Sequence, residues 1–144
     1  HRLATFLPEA RFWVAVAANS GWYSFPSYEY SFPYGLKDSG LSEQMLVESF
    51  SKNLVVMVGD KDTDPNHKHL DKSPEVMFQG KHRFERAQNY YRCVKQTAKD
   101  LNIPCKWRFA SVCGASHGGR LIREAAVREF GFKRSPSTTK SKHR

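Results

Sequence analysis

The sequence lacks two patterns that would place it in a well-defined class of protein. No apolar run approaches the roughly eighteen residues that a membrane-spanning helix requires, so no membrane span is predicted. Only three cysteines occur, Cys93, Cys105 and Cys113, and none stands in the C-x-x-C spacing typical of zinc sites. We therefore expect the cysteines to be small buried hydrophobic side chains rather than metal ligands.

Acidic residues are absent from positions 131–144, and this shortage accounts for much of the formal net charge of +9. That segment contributes +5 to the net charge, through Lys133, Arg134, Lys140, Lys142 and Arg144. The segment also has no apolar period, so residues 133–144 are predicted to be a disordered basic tail. Nucleic-acid binding is not predicted, because no basic stripe with interleaved aromatic residues occurs elsewhere.

Residues 1–132 are predicted to be one globular domain. The hydrophobic fraction of 40% and the aromatic fraction of 13% are typical of a folded protein, and 144 residues suffice for a single core. The chain does not begin with Met, and its first residues, HRLATFLPEARF, look like the end of a helix. We therefore expect a truncated beginning.

Apolar periodicity predicts alternating strands and helices. Short, nearly continuous apolar runs predict buried strands at 11–18, 53–58 and 105–112. Amphipathic patterns predict helices at 1–7, 42–50, 84–101 and 120–130. Alternation of this kind builds a parallel sheet with helices on its faces, so the predicted fold class is α/β, a three-layer sandwich with a partial parallel sheet.

The loop at 59–70, GDKDTDPNHKHL, follows the second predicted strand and is rich in possible metal ligands. Its acidic residues partly match a calcium loop, but Pro65 stands where the sharp turn needs glycine, and Asp71 stands where a bidentate glutamate is expected. His67 and His69 have no third ligand near them in the sequence. No metal site is therefore predicted.

A pair of residues for proton transfer has better support in the sequence. Asp62 follows its strand by Gly-x-x, and His117 follows the next strand by the same spacing. Because loops at the carboxyl ends of parallel strands meet at one edge, the carboxylate can accept the imidazole Nδ1–H and orient the ring as a general base. We expect the two side chains within about 2.6–3.2 Å of each other. Asp60 and Asp64 remain alternatives for the acid.

Four stretches, VVMVGDKDTDP, ASVCGASHGG, AVAANSGWYSFP and FPYGL, give the chain a family resemblance. The first two resemble the last two triad segments of the α/β-hydrolase fold. The others resemble a subgroup of serine esterases and polyester depolymerases. The resemblance covers roughly residues 1–131 and implies the C-terminal half of that fold, with Asp62 as triad acid and His117 as general base. It also implies a small or polymeric carboxylic ester as the substrate, and no cofactor.

The nucleophile expected from this family is missing from the chain. The G-x-S-x-G motif, which places the serine on a sharp turn, does not occur in the 144 residues. The serine is therefore expected upstream of residue 1, and the chain alone is expected to be inactive. The aromatic loop at 19–35 stands where this fold has a lid or acyl pocket, with Trp22, Tyr23 and Tyr34 as expected substrate-binding residues. The alternative for these rings is that they only cover the edge of the sheet. The alternative is a noncatalytic binding domain that kept the scaffold and lost the nucleophile.

Overall fold

Three parallel strands and five helices make up residues 1–131, the part of the chain that this computed structural model describes. In chain order they are α1 (Arg2–Phe6), β1 (Ala15–Ala18), α2 (Glu43–Phe50), β2 (Leu54–Gly59), α3 (Pro74–Met77), α4 (Arg83–Asp100), β3 (Arg108–Val112) and α5 (Arg120–Glu129). The predicted α/β alternation is confirmed. The tail predicted at 133–144 lies outside the described residues. None of the helices within residues 1–131 is both long and apolar enough to cross a membrane.

β2 is the central strand, because the strand order is β1-β2-β3 and both pairs are parallel. All of its residues are buried, so both faces of the sheet are covered. Leu54, Val56 and Val58 belong to a core that includes residues of α1, α2 and α4. Val55 and Met57 belong to a second core, which includes residues of α5. Helix, sheet and helix therefore form the three layers that the sequence predicts.

Two strands are shorter than the apolar runs that predicted them. β1 begins only at Ala15, and Trp13, within the predicted strand, is 89% exposed. β3 begins at Arg108, because the backbone N–H of Lys106 donates to the carbonyl of Phe50 (2.9 Å) at the end of α2. An apolar run does not show which of its residues pair in the sheet, so the ends of the run can lie outside the strand.

Helix α4 begins at Arg83, and its first turn is well capped. The ring Nδ1 of His82, the N-cap residue, accepts a hydrogen bond from the backbone N–H of Glu85 (3.2 Å). The Glu85 carboxylate in turn accepts from the backbone N–H of Lys81 (2.6 Å). Two backbone donors near the helix start are thus satisfied reciprocally. The single-turn helix α3 was not predicted, because four residues are too few to show a period.

The prediction that all three cysteines are buried is wrong. Cys113 is exposed at the end of β3, while Cys93 and Cys105 are partly buried, and all three are free thiols. Burial raises the pKa of Cys93 and of Cys105. The hydrophobic character of cysteine indicates burial only on average, and Cys113 follows a strand at the edge of the sheet.

Candidate functional site

The loops that follow β2 and β3 lie against each other at the carboxyl edge of the sheet. The backbone N–H of Asp60 donates to the carbonyl of Val112 (3.2 Å), and that of Lys61 donates to the carbonyl of Ala115 (2.9 Å). This contact needs a glycine at the end of β2, because a Cβ atom on Gly59 would collide with the Ala115 carbonyl. The close approach brings the two predicted site loops together.

Asp62 and His117 are in contact across these loops. The Nδ1 atom of His117 lies 3.1 Å from Oδ2 of Asp62, within the distance expected from the sequence. The carboxylate is only 3% exposed, whereas the ring is 36% exposed. An ionised carboxylate can only accept hydrogen bonds, so this contact holds the proton on Nδ1 and leaves Nε2 as the basic atom of the ring. The arrangement suits a general base that an external group can reach; the catalytic roles of both residues stay a prediction.

The structure also distinguishes among the three aspartates of the loop. Asp60 accepts from the backbone N–H of Gly114 through Oδ1 (2.9 Å). Asp64 accepts from the backbone N–H of Asn66 through Oδ1 (2.8 Å), a local turn bond. Neither contact involves the imidazole, so Asp62 is the one of these three carboxylates that meets His117.

Arg83, the first residue of α4, is a partner of the site that the sequence did not indicate. Its Nη1 atom lies 3.5 Å from Oδ1 of Asp62, and its Nη2 donates to the carbonyl of His69 (2.8 Å). The backbone N–H of Phe84 donates to the carbonyl of Asp62 (3.1 Å). The guanidinium supplies the countercharge that a buried carboxylate requires. Arg83 and Asp62 are 21 positions apart, and the sequence between them shows no period that predicts this pair.

A second imidazole lies beside the ring of His117. The rings of His67 and His117 are edge to face, with centroids 5.1 Å apart. Nδ1 of His67 accepts from the backbone N–H of His69 (3.2 Å). Desolvation, followed by the nearby charge of Arg83, lowers the pKa of His67. Within residues 1–131, no three side chains of His, Cys, Asp or Glu are grouped closely enough to bind a metal ion.

The three aromatic residues expected to bind substrate have different environments. Trp22 and Tyr34 are partly buried and pack edge to face, with ring centroids 5.1 Å apart. Tyr23 is fully buried and stacks on Tyr90 at 4.4 Å, and its backbone N–H and C=O both bond to the side chain of Gln79 (2.8 Å each). Tyr23 is therefore a core residue, and the expectation that it contacts substrate is corrected. Alternating aromatic residues in a loop do not reveal which rings point inward.

Comparison with known proteins gives two solved structures with the same architecture. One is poly(aspartic acid) hydrolase-1 from Sphingomonas sp. KT-1, with 35% sequence identity and a TM-score of 0.85 over 88% of this chain and 48% of that one. The other is LpqC, a poly(3-hydroxybutyrate) depolymerase from Bordetella parapertussis, with 31% identity and a TM-score of 0.82 over 94% of this chain and 46% of that one. No family model and no curated protein sequence matches the chain.

The chain thus spans about half the length of each of these two hydrolases. High TM-scores at more than 30% identity over most of residues 1–144 indicate a shared fold rather than a chance likeness of layers. The parallel sheet, its helical layers and its sequence place the chain in the same structural class as both enzymes. The described residues form part of an α/β-hydrolase fold, and the resemblance to that fold that the sequence indicated is confirmed.

Proposed function

We propose that the chain supplies the acid and the general base of a serine hydrolase, Asp62 and His117, and that the serine lies upstream of His1 in a G-x-S-x-G turn. The observation that carries the proposal is the 3.1 Å contact between a buried carboxylate and an accessible imidazole. Both follow neighbouring parallel strands, at the edge where such sheets place their sites. The two hydrolases with the same fold support this assignment.

In the proposed reaction, Nε2 of His117 takes the proton of the serine hydroxyl as its oxygen attacks the substrate carbonyl. The same nitrogen then returns the proton to the leaving alcohol, and an acyl-enzyme remains. In a second round His117 deprotonates a water molecule whose oxygen attacks the acyl carbon. The bond to the serine oxygen then breaks, the imidazolium returns the proton to that oxygen, and the acid is released. Asp62 holds the ring through Nδ1 and stabilises the imidazolium that forms in each half-reaction. Arg83 contacts the other carboxylate oxygen of Asp62 (3.5 Å) and holds the carboxylate in place.

We propose carboxylic esters, small or polymeric, as the substrates. One similar structure is a poly(3-hydroxybutyrate) depolymerase, and its polymer is a polyester. The other is a poly(aspartic acid) hydrolase, whose reaction is also an attack on an acyl carbon. Trp22 and Tyr34 are the proposed apolar contacts for the acyl group, since both rings are partly accessible. The guanidinium of Arg2 lies 5.6 Å from the centre of the Trp22 ring and fixes one of its faces.

The proposal is tested with the 144-residue chain and a longer version that extends upstream through the expected serine. With a short activated ester, the longer protein should show turnover and the chain alone should not. His117→Ala in the longer protein should lower kcat by about 10⁴-fold or more, because the serine loses its base. A fluorophosphonate probe should label one serine in the longer protein.

Two results would contradict the proposal. Turnover by the 144-residue chain that falls on His117→Ala would mean that the nucleophile is within it. An inert longer protein with no labelled serine would favour the alternative, a noncatalytic binding domain. A control is Arg92→Ala, because Arg92 is exposed on α4 and its guanidinium donates to the side chain of Asn89 (2.9 Å).

A further inference from the structure

Asn19, which directly follows β1, bonds to the end of β2 and to the loop that follows β3. Its backbone N–H donates to the carbonyl of Met57 in β2 (2.9 Å). Its side-chain Oδ1 accepts from the backbone N–H of Gly59 (3.0 Å), and its Nδ2 donates to the carbonyl of Ser116 (3.3 Å). The residue is only 7% exposed. One short side chain thus contacts both of the loops that carry Asp62 and His117.

The chemistry of this position suits asparagine. The two contacts use an acceptor and a donor on two separate atoms of one short side chain, and an amide supplies both at any pH. The backbone of Asn19 is also left-handed, with φ of 45°, a conformation that asparagine adopts far more readily than most residues with a Cβ. An aspartate would keep the acceptor for Gly59 but lose the donor to Ser116.

We propose that Asn19 is a positioning residue for His117. Ser116 immediately precedes the histidine, so the bond from Nδ2 restrains the backbone on the N-terminal side of the ring. On the other side, Gly118 and Gly119 have φ of 76° and 88°, and glycines restrain the backbone little. The placement of the imidazole therefore depends on the Ser116 side, where Asn19 acts.

Asn19 acts through the backbone and does not touch the reacting atoms. Its second contact, with Gly59, restrains the start of the loop that carries Asp62, so the same side chain acts on both the acid and the base. The catalytic consequence rests on the proposed function. A displacement of about 1 Å in a reacting group can reduce the rate by about 100-fold.

The test is Asn19→Gly in the longer protein, because glycine removes both side-chain bonds and tolerates the positive φ. The matched control is Asn102→Gly, since Asn102 is exposed at the end of α4 and has φ of 54°. We expect kcat per titrated active site to fall about 10- to 100-fold in Asn19→Gly, with KM changed less than about twofold. The amide of Gly59 should exchange with solvent faster. In the control, kcat, KM and the exchange of the Gly59 amide should all be unchanged.

Asn19→Asp separates the two contacts and serves as the second variant if Asn19→Gly does not fold. It should keep the Gly59 amide protected and still lower kcat. The inference is overturned if kcat stays within about twofold of wild type in both variants while the wild type is active. If the wild-type protein is inactive, the proposed function fails, and Gly59 exchange decides alone: faster exchange in Asn19→Gly than in the control supports the positioning role, and equal exchange overturns it.

Discussion

Arg83 and Asp62 form an almost completely buried ion pair, with Nη1 3.5 Å from Oδ1 and the two side chains 2% and 3% exposed. The other carboxylate oxygen contacts His117, so one buried anion has two partners. A charge removed from water needs such partners, and the loss of one leaves it uncompensated. Removal of either partner is therefore expected to destabilise the fold.

Arg83→Met should lower the free energy of unfolding by about 3–5 kcal/mol, because the Asp62 carboxylate would stay buried without its guanidinium. Denaturant unfolding measures this loss. The double variant Arg83→Met with Asp62→Asn should lose less than the sum of the two single changes, because both charges are gone. Additive losses would mean that the ion pair makes no net contribution.

Gly59→Ala should destabilise the protein by about 2 kcal/mol or more, because a Cβ would collide with the Ala115 carbonyl and force the two site loops apart. The longer protein should also lose esterase activity beyond its loss of folded molecules. Gly21→Ala is the matched control, because a Cβ there would meet no atom of the described residues within 4 Å. It should change the free energy of unfolding by less than about 0.5 kcal/mol.

The comparison of sequence with structure shows which features leave a local signal. Helix α2 begins and ends within one residue of its prediction, because Ser42 is a true N-cap whose hydroxyl accepts from the backbone N–H of Met45 (3.2 Å). The order of Asp62 and His117, each after a strand and a glycine, likewise predicted their contact. Local patterns of this kind are readable without a structure.

Other features depend on contacts between residues far apart in the chain. Nothing local marks Asn19 for its bond to Ser116, 97 residues away. Asp60, Asp62 and Asp64 alternate in one loop, and only the path of that loop decides which carboxylate faces His117. The aromatic neighbours of Tyr23 predict a place in a substrate pocket, whereas its ring belongs to the core. Tertiary packing decides such cases.

Arg86 should be the second stabilising arginine of α4. It is fully buried and donates to three carbonyls: Gly80 (2.8 Å), Gly21 (2.7 Å) and Asp71 (2.8 Å). Arg86→Met should lower the free energy of unfolding by about 3 kcal/mol or more, because three carbonyls, including that of the buried Gly80, would lose their donor. Arg92→Met, on the exposed surface of the same helix, should cost less than about 0.5 kcal/mol in the same unfolding assay. Similar losses in the two variants would contradict the proposed role of Arg86.

We expect the free energy of unfolding to decrease in mild acid because of His67. Desolvation and the charge of Arg83 lower the pKa of His67 in the folded protein, so the unfolded chain binds a proton more readily. Its contribution to stability is therefore complete above the ordinary histidine pKa of about 6.5 and decreases as the pH falls through that value.

His67→Gln should reduce the slope of unfolding free energy against pH between about pH 7 and 5.5. From about pH 7.5 to 8.5 the curves of variant and wild type should run parallel, because a histidine with a lowered pKa is neutral in both states there. An unchanged slope below about pH 7 would show that the imidazole of His67 is protonated equally in the folded and unfolded chains.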